Sequence, residues 1–179
     1  MNEHTSQLAT SILTRRNLLA STAATFFGLT RNPTHGADAH QSTTSSSPPN
    51  TTRTSLHQEV DLQSNPARVY AVLLDSKQFA AFSHEPADIQ SDPGGAFSLF
   101  AARILGRNVE LVPAQRIVQA WRSAGWSPGI FSIVRFEFKE QGAKTRVTLD
   151  HAGFPEGQYD NLYLGWKTHY WEPLQLFFH

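Results

Sequence analysis

The sequence predicts an α+β domain in which a curved antiparallel sheet wraps a long C-terminal helix. Three observations predict it. Val134, Phe136 and Phe138 alternate with Arg135, Glu137 and Lys139, which is the pattern of a strand in a sheet with one dry and one wet face. Turn residues then recur at hairpin intervals from Asp92 to Gly142. Finally, Tyr159, Leu162, Tyr163, Trp166, Tyr170, Leu174 and Phe177 fall at helical steps and form one broad apolar stripe.

The elements follow in order. SLHQEVDLQ at 55–63 places Leu56, Val60 and Leu62 on one side and His57, Glu59 and Asp61 on the other, as a half-buried strand does. Ser64-Asn65-Pro66 supplies a cap and a proline at the first helical position, so a short helix runs to about Leu74. Asp75-Ser76 caps a second short helix carrying Phe79 and Phe82, which stops before Glu85-Pro86. After Asp92-Pro93-Gly94-Gly95 six strands are expected: Ala96 to Phe100, Ala102 to Leu105, Asn108 to Val112, Arg116 to Arg122, Phe131 to Lys139 and Thr145 to His151. Helix follows between Gln158 and Phe178; Pro173 removes one of its hydrogen bonds, so a kink or loosening is expected after about Tyr170.

Ahead of the domain, LTRRNLLASTAATFFGLT at 13–30 carries two arginines and then a weak apolar run. A bilayer-spanning helix needs about 20 mostly apolar residues; the run from Leu18 to Leu29 is shorter and is diluted by Ser21, Thr22, Thr25 and Gly28. A charged head, a short apolar middle and the small-x-small site Ala37-Asp38-Ala39 match a secretory signal. Arg15-Arg16 resembles the twin-arginine address of bacterial export. Residues 1–39 are therefore expected to be a removed signal peptide, with the mature protein periplasmic or extracellular. Residues 40–55, HQSTTSSSPPNTTRTS, hold too little apolar surface to offset the entropy of ordering and are expected to be a flexible spacer. Residues 56–179 remain, near the usual size of one domain.

Removal of the leader leaves 12 Lys+Arg against 13 Asp+Glu, and no basic surplus speaks for nucleic acid or an anionic membrane. Without cysteine there is no disulfide, thiol nucleophile or thiolate metal site. The eight histidines show neither i, i+4 spacing nor a paired acidic motif, so no metal is expected. Gly-x-Ser-x-Gly elbows, phosphate loops and dinucleotide fingerprints are missing too, and no cofactor is expected.

Three stretches, NPARVYAVLLDSKQFAAFS, GRNVELVPAQRIVQAWR and TRVTLDHAGFPEGQYDNLYLGWKTHYWEPLQLF, resemble the bacterial activator-of-heat-shock-chaperone-ATPase homologue (AHSA-type) proteins of the SRPBCC, START-like helix-grip superfamily. The last is the most specific, with Pro155, Glu156, Gly157, Gly165, Trp166, Trp171, Glu172 and Pro173 in place. The resemblance implies an incomplete sheet gripping the C-terminal helix over an apolar cavity. Where such proteins usually carry a glycine after the Gly-Gly-x-Phe turn, this chain has Ala101-Ala102-Arg103, and a more regular backbone or an altered hairpin register is expected there. An exported chain would not meet a cytosolic chaperone, so that partner is not expected.

A groove between a sheet and an aromatic-striped helix suits a small hydrophobic molecule or lipid. The expected lining is Trp121, Phe136, Phe138, Trp166 and Tyr170, with Phe97 near the mouth. The function this implies is non-enzymatic ligand binding. Two alternatives stand beside it: a polyketide cyclase or dehydratase-like enzyme, and a protein-interaction module of the ATPase-activator type. The enzyme would need a proton shuttle, for which His151, His169, Tyr163 and Arg122 are the candidates. Of these, His169 is expected to face solvent and His151 to bond locally. Trp126, in the Gly- and Pro-rich loop 123–129, is read as a gate, a docking point or a lid folded onto the core.

Overall fold

Inward parity organises the sheet. In the computed structural model, which describes residues 52–179, the strand β1 (Ser55–Leu62) buries Leu56, Val60 and Leu62. The expected signal peptide and residues 40–51 of the expected spacer lie outside the described residues, while Ser55, the last residue of that spacer, opens β1. Asn65 accepts from the Arg68 backbone N–H and caps α1 (Pro66–Leu74), while Asp75 does the same for Gln78 at the start of α2 (Ser76–Ser83). A carboxamide or carboxylate oxygen there satisfies a backbone donor that the first helical turn leaves open.

Six further strands follow: β2 (Ala87–Ile89), β3 (Ala96–Leu99), β4 (Ile104–Val112), β5 (Arg116–Ser123), β6 (Ser132–Gln141) and β7 (Lys144–Ala152). With β1 they form one antiparallel sheet in the order β1-β7-β6-β5-β4-β3-β2. Apart from shifts of one or two residues at strand ends, two elements differ from the sequence expectation. The segments expected at 102–105 and 108–112 are one strand, because Gly106 does not turn the chain. It lets Phe97 lie flat on the neighbouring strand, where a Cβ at 106 would overlap the Phe97 ring and the Ala120 carbonyl. The register instead shifts once, between Asn108 and Glu110, which is a bulge that bends the strand. Strand β2 is three residues long, too short for a period to register.

The Ala101-Ala102-Arg103 segment is also corrected. It is less regular than expected, since Phe100, Ala101 and Ala102 all take left-handed φ values of 54°, 53° and 65°. Such values cost a non-glycine residue about 1–2 kcal/mol each. Hydrogen bonds from Ala101 N to Pro86 O, Arg103 N to Phe100 O and Ala124 N to Arg103 O hold the turn. The β3–β4 register around it is continuous.

The wet face carries ion pairs, including Arg116 with Glu110, Arg146 with Asp61 and Arg135 with Asp150. The dry face packs on a helical rod: α3 (Tyr159–Trp166), a π-helical turn (Lys167–Trp171) and α4 (Glu172–Phe177). The widened turn lies just ahead of Pro173, whose missing N–H releases a carbonyl one turn back. Its extra residue rotates the helix face, so that Tyr170 and Trp171, adjacent in sequence, are both buried. Tyr163, expected on the buried stripe, is 46% exposed. Among the described residues no helix is long and apolar enough to cross a membrane.

Candidate functional site

The first half of the helical rod offers two rows to the sheet, an aromatic one and a polar one beside it. Gln158, Asn161 and His169 lie next to Leu162, Trp166 and Tyr170, and all six border a cleft of about 360 Å³. Gly165, in the middle of that face, leaves the space open, since nothing lies within 4 Å of where its Cβ would be. The opposite wall is Phe100 and Arg103 from the left-handed turn, Ile104 at the start of β4, and Trp121 and Ser123 from β5. Trp126, from the β5–β6 loop, closes one end.

Aromatic rings dominate this space. Trp166 lies 4.3 Å from Tyr170 and 5.9 Å from Trp121 between centroids; Tyr170 meets Phe100 edge-on at 5.3 Å; Trp121 meets Trp126 edge-on at 5.5 Å. The strained backbone at Phe100 therefore has a local result: it turns that ring onto Tyr170 at the cleft wall.

Behind Trp166 sits a hydrogen-bonded chain that sequence reasoning placed wrongly. His151 does not bond locally but is fully buried, with Nε2 2.7 Å from Ser132 Oγ and Nδ1 3.0 Å from Trp166 Nε1. An indole nitrogen only donates, so Nδ1 accepts and the proton resides on Nε2, which donates to Ser132. The Ser132 hydroxyl in turn donates to the Trp121 carbonyl at 3.0 Å. Burial pushes the His151 pKa down to about 3, and the ring is neutral at physiological pH. Its position behind Trp166 orients that indole; it does not border the cleft.

One donor just behind the cleft wall is unmatched. Trp121 is 3% exposed, and its Nε1–H, itself shut off from solvent, has no hydrogen-bond partner. It lies near enough to the Tyr170 hydroxyl to offset part of the rise that burial imposes on that group's pKa, yet the two do not reach hydrogen-bonding geometry. A buried polar group without a partner costs about 1–3 kcal/mol, and natural structures rarely leave one without a reason.

The expected lining divides. Trp121, Trp166 and Tyr170 meet around the cleft. Phe97 lies over Gly106, Phe136 packs beneath Trp166 and Trp171, and Phe138 meets Tyr70 at the far end of the sheet; all three are core residues away from the cleft. The proton-shuttle candidates do not converge either. His169 reaches the cleft mouth as an exposed residue, Tyr163 lies among a separate set with Gln58 and Lys167, and Arg122 donates to the Trp126 carbonyl at 2.7 Å. Arg103, also at the mouth, pairs with Glu85 at 2.7 Å. Phe100, Gln158 and Asn161 were not anticipated; the row at 158, 161, 165 and 169, polar except for Gly165, was the available signal for the last two. Among the described residues no group of three or more His, Asp or Glu could hold a metal ion.

Residues 63–178 match the family model described as activator of Hsp90 ATPase homolog 1-like protein. The human activator of 90 kDa heat shock protein ATPase homolog 1 is 28% identical over 111 residues, which is 62% of this chain and 33% of that protein. The Dictyostelium discoideum activator of 90 kDa heat shock protein ATPase homolog is 33% identical over 118 residues, covering 65% of this chain and 30% of the relative. The chain thus spans about a third of the length of the curated relatives it matches. Among solved structures, an HSP90 activator from Plasmodium falciparum superposes with a TM-score of 0.67 at 22% identity, over 70% of this chain and 96% of that one. CalU16 from Micromonospora echinospora gives 0.60 at 20%, over 69% and 73%. Such identities speak to the fold, which is the helix-grip arrangement. With its family model matched across nearly the whole described domain, the chain belongs to the activator of Hsp90 ATPase homolog 1-like family.

Proposed function

We propose that this domain binds a small, mostly apolar, ring-containing molecule that carries a hydrogen-bond acceptor, and that it does so without catalysis. The observation that carries the reading is an aromatic cleft of about 360 Å³ with the unpartnered Trp121 N–H buried just behind its wall, beside the Tyr170 hydroxyl. That volume falls within the usual range for small-molecule sites, which are mostly apolar with a few orienting polar groups. A carbonyl oxygen on a flat ring lying among Trp121, Trp166 and Tyr170 would satisfy the donor once a small turn of the Tyr170 ring uncovers it. The enzyme reading is less well supported, because the ionisable residues bordering the cleft are His169 and Arg103 at its mouth and Tyr170, whose hydroxyl burial makes a weaker acid.

The fluorescent ketone prodan, a propionyl-naphthalene, tests this. It is expected to bind with a Kd of about 10–100 μM. Trp121→Phe keeps a ring and removes the N–H, and should weaken prodan by about tenfold. The analogue with CH₂ in place of the carbonyl should bind both proteins alike. Equal binding of prodan by the two proteins, with the fold intact by circular dichroism, would overturn the acceptor assignment.

We further propose that the domain works outside the cytosol. The support is Arg15-Arg16, the short apolar run and Ala37-Asp38-Ala39, followed by a polar spacer. Replacing both arginines by lysine should leave uncleaved precursor in the cytosol on fractionation; unchanged export would reject the address.

A further inference from the structure

A second hollow adjoins the first. It is an open surface depression of about 550 Å³, and Trp126 and Gln158 border both spaces. Its other walls include Ile130, Phe154, Pro155 and Gly125, with no charged side chain among the lining residues. Trp126 thus stands between the cleft and this surface depression, 8% exposed and edge-on to Trp121.

The partition stands on a segment with little to hold it. Gly129 takes a φ of +81°, and Gly125 has only Ser123 Oγ, at 3.9 Å, near the place of a Cβ. The hydrogen bonds of residues 125–130 are local: Gly125 N to Ser123 Oγ, Trp126 N to Ser123 O, Ile130 N to Ser127 O, and Arg122 Nη2 to the Trp126 carbonyl. None ties the loop to the helical rod. Arg122 Nε is buried without a partner in this arrangement. Few long-range backbone ties and exposed flanking residues mark a backbone that opens readily, so the burial of the Trp126 ring is what a ligand tail has to replace.

We propose that Trp126 swings aside to join the two hollows into one elongated site, and that the ligand class is a ring ketone bearing a long, unbranched acyl tail. This rests on the ligand-binding reading above. The ring and carbonyl occupy the first cleft, and the tail passes Trp126 to lie on Phe154 and Ile130. An uncharged lining suits a hydrocarbon tail and disfavours a charged one. Each methylene taken from water strengthens binding by roughly fourfold where burial is complete.

Prodan and its homologue with octanoyl in place of propionyl separate the outcomes. The wild-type protein is expected to bind the octanoyl ketone at least tenfold more tightly than prodan. Gly125→Phe places a ring in the second hollow without backbone strain; it should abolish that preference while prodan affinity changes by less than about twofold, which also reports a folded cleft. Trp126→Ala removes the partition and should raise the octanoyl-to-prodan ratio above the wild-type value. Equal affinity of the two ketones for the wild-type protein, or a preference that survives Gly125→Phe, overturns the joined site and leaves the first cleft standing. Failure of both ketones to bind overturns the ligand-binding reading itself, and the joined site with it.

Discussion

Trp166→Ala is expected to lower the unfolding free energy by about 3–5 kcal/mol, the range for truncating a large buried aromatic. The size follows from what the indole touches. Trp166 is 2% exposed, stacks on Trp171 at 5.9 Å, meets Phe136 edge-on at 5.6 Å and contacts Tyr170 at 4.3 Å. Truncation also strips His151 Nδ1 of its donor, leaving a buried acceptor unmatched. The neighbours that would have to collapse into the void are themselves rings locked by one another, so relaxation is limited. Trp166→Phe restores most of the area but not the N–H, and should recover more than half of the loss. Urea unfolding followed by circular dichroism measures both. A loss below about 1 kcal/mol for the alanine variant would mean that the helical rod is not held to the sheet through this residue.

Acid should destabilise the domain through His151. Its pKa lies near 3 in the folded protein against 6.5 for the free side chain, because burial disfavours the charged ring. The unfolded chain therefore binds the extra proton first, and stability falls as pH drops below about 6.5 until the folded pKa is passed. From pH 7 to 5 the loss is about 2 kcal/mol, and by pH 3 it reaches about 4–5 kcal/mol. Ser132, Trp166, Trp121 and Phe154 surround the ring, with no charged group among these contacts to soften the effect. A proton arriving on Nδ1 would also face the Trp166 N–H it now accepts from. Carboxylates contribute at lower pH: Arg146 holds Asp61, and Arg116 holds Glu110, below their ordinary values. Both remain ionised in the folded and largely in the unfolded chain at pH 5. His151→Gln, whose amide can serve both Ser132 and Trp166, should flatten the difference in urea stability between pH 7 and 5. A variant with the same slope as the wild type would remove His151 from the account.

The sheet was legible because its periodicity is strong. Val134, Phe136 and Phe138 alternate inward in the structure as they do in sequence, and Asn65 and Asp75 cap the helices whose starts their residue types announce. The same parity puts Thr145, Val147, Leu149 and His151 on one face, so the burial of His151 was readable from its spacing, although its bonds to Ser132 and Trp166 were not. What parity cannot supply is position along the sheet. Phe97, Phe136 and Phe138 face inward as required, yet the cleft opens only where the helical rod carries Gly165 and where Phe100 is turned toward Tyr170. That turn depends on three left-handed residues, none of them glycine, and no local preference announces it. Trp171 was hidden for a related reason: a 3.6-residue period cannot anticipate a π-helical turn that adds one residue to the face.

One atom pair carries the proposed binding, the Trp121 indole N–H and an oxygen brought by the ligand. All four tryptophans lie in the described domain, and two indoles already have partners, Trp166 with His151 and Trp171 with Gln58. Proton–nitrogen correlation spectra of ¹⁵N-indole-labelled protein, titrated with prodan, follow each N–H separately once the signals are assigned by Trp→Phe substitution. The Trp121 indole proton is expected to move downfield on binding, in proportion to occupancy, while the Trp171 signal stays in place. Saturation with prodan that leaves the Trp121 signal unmoved would contradict the account.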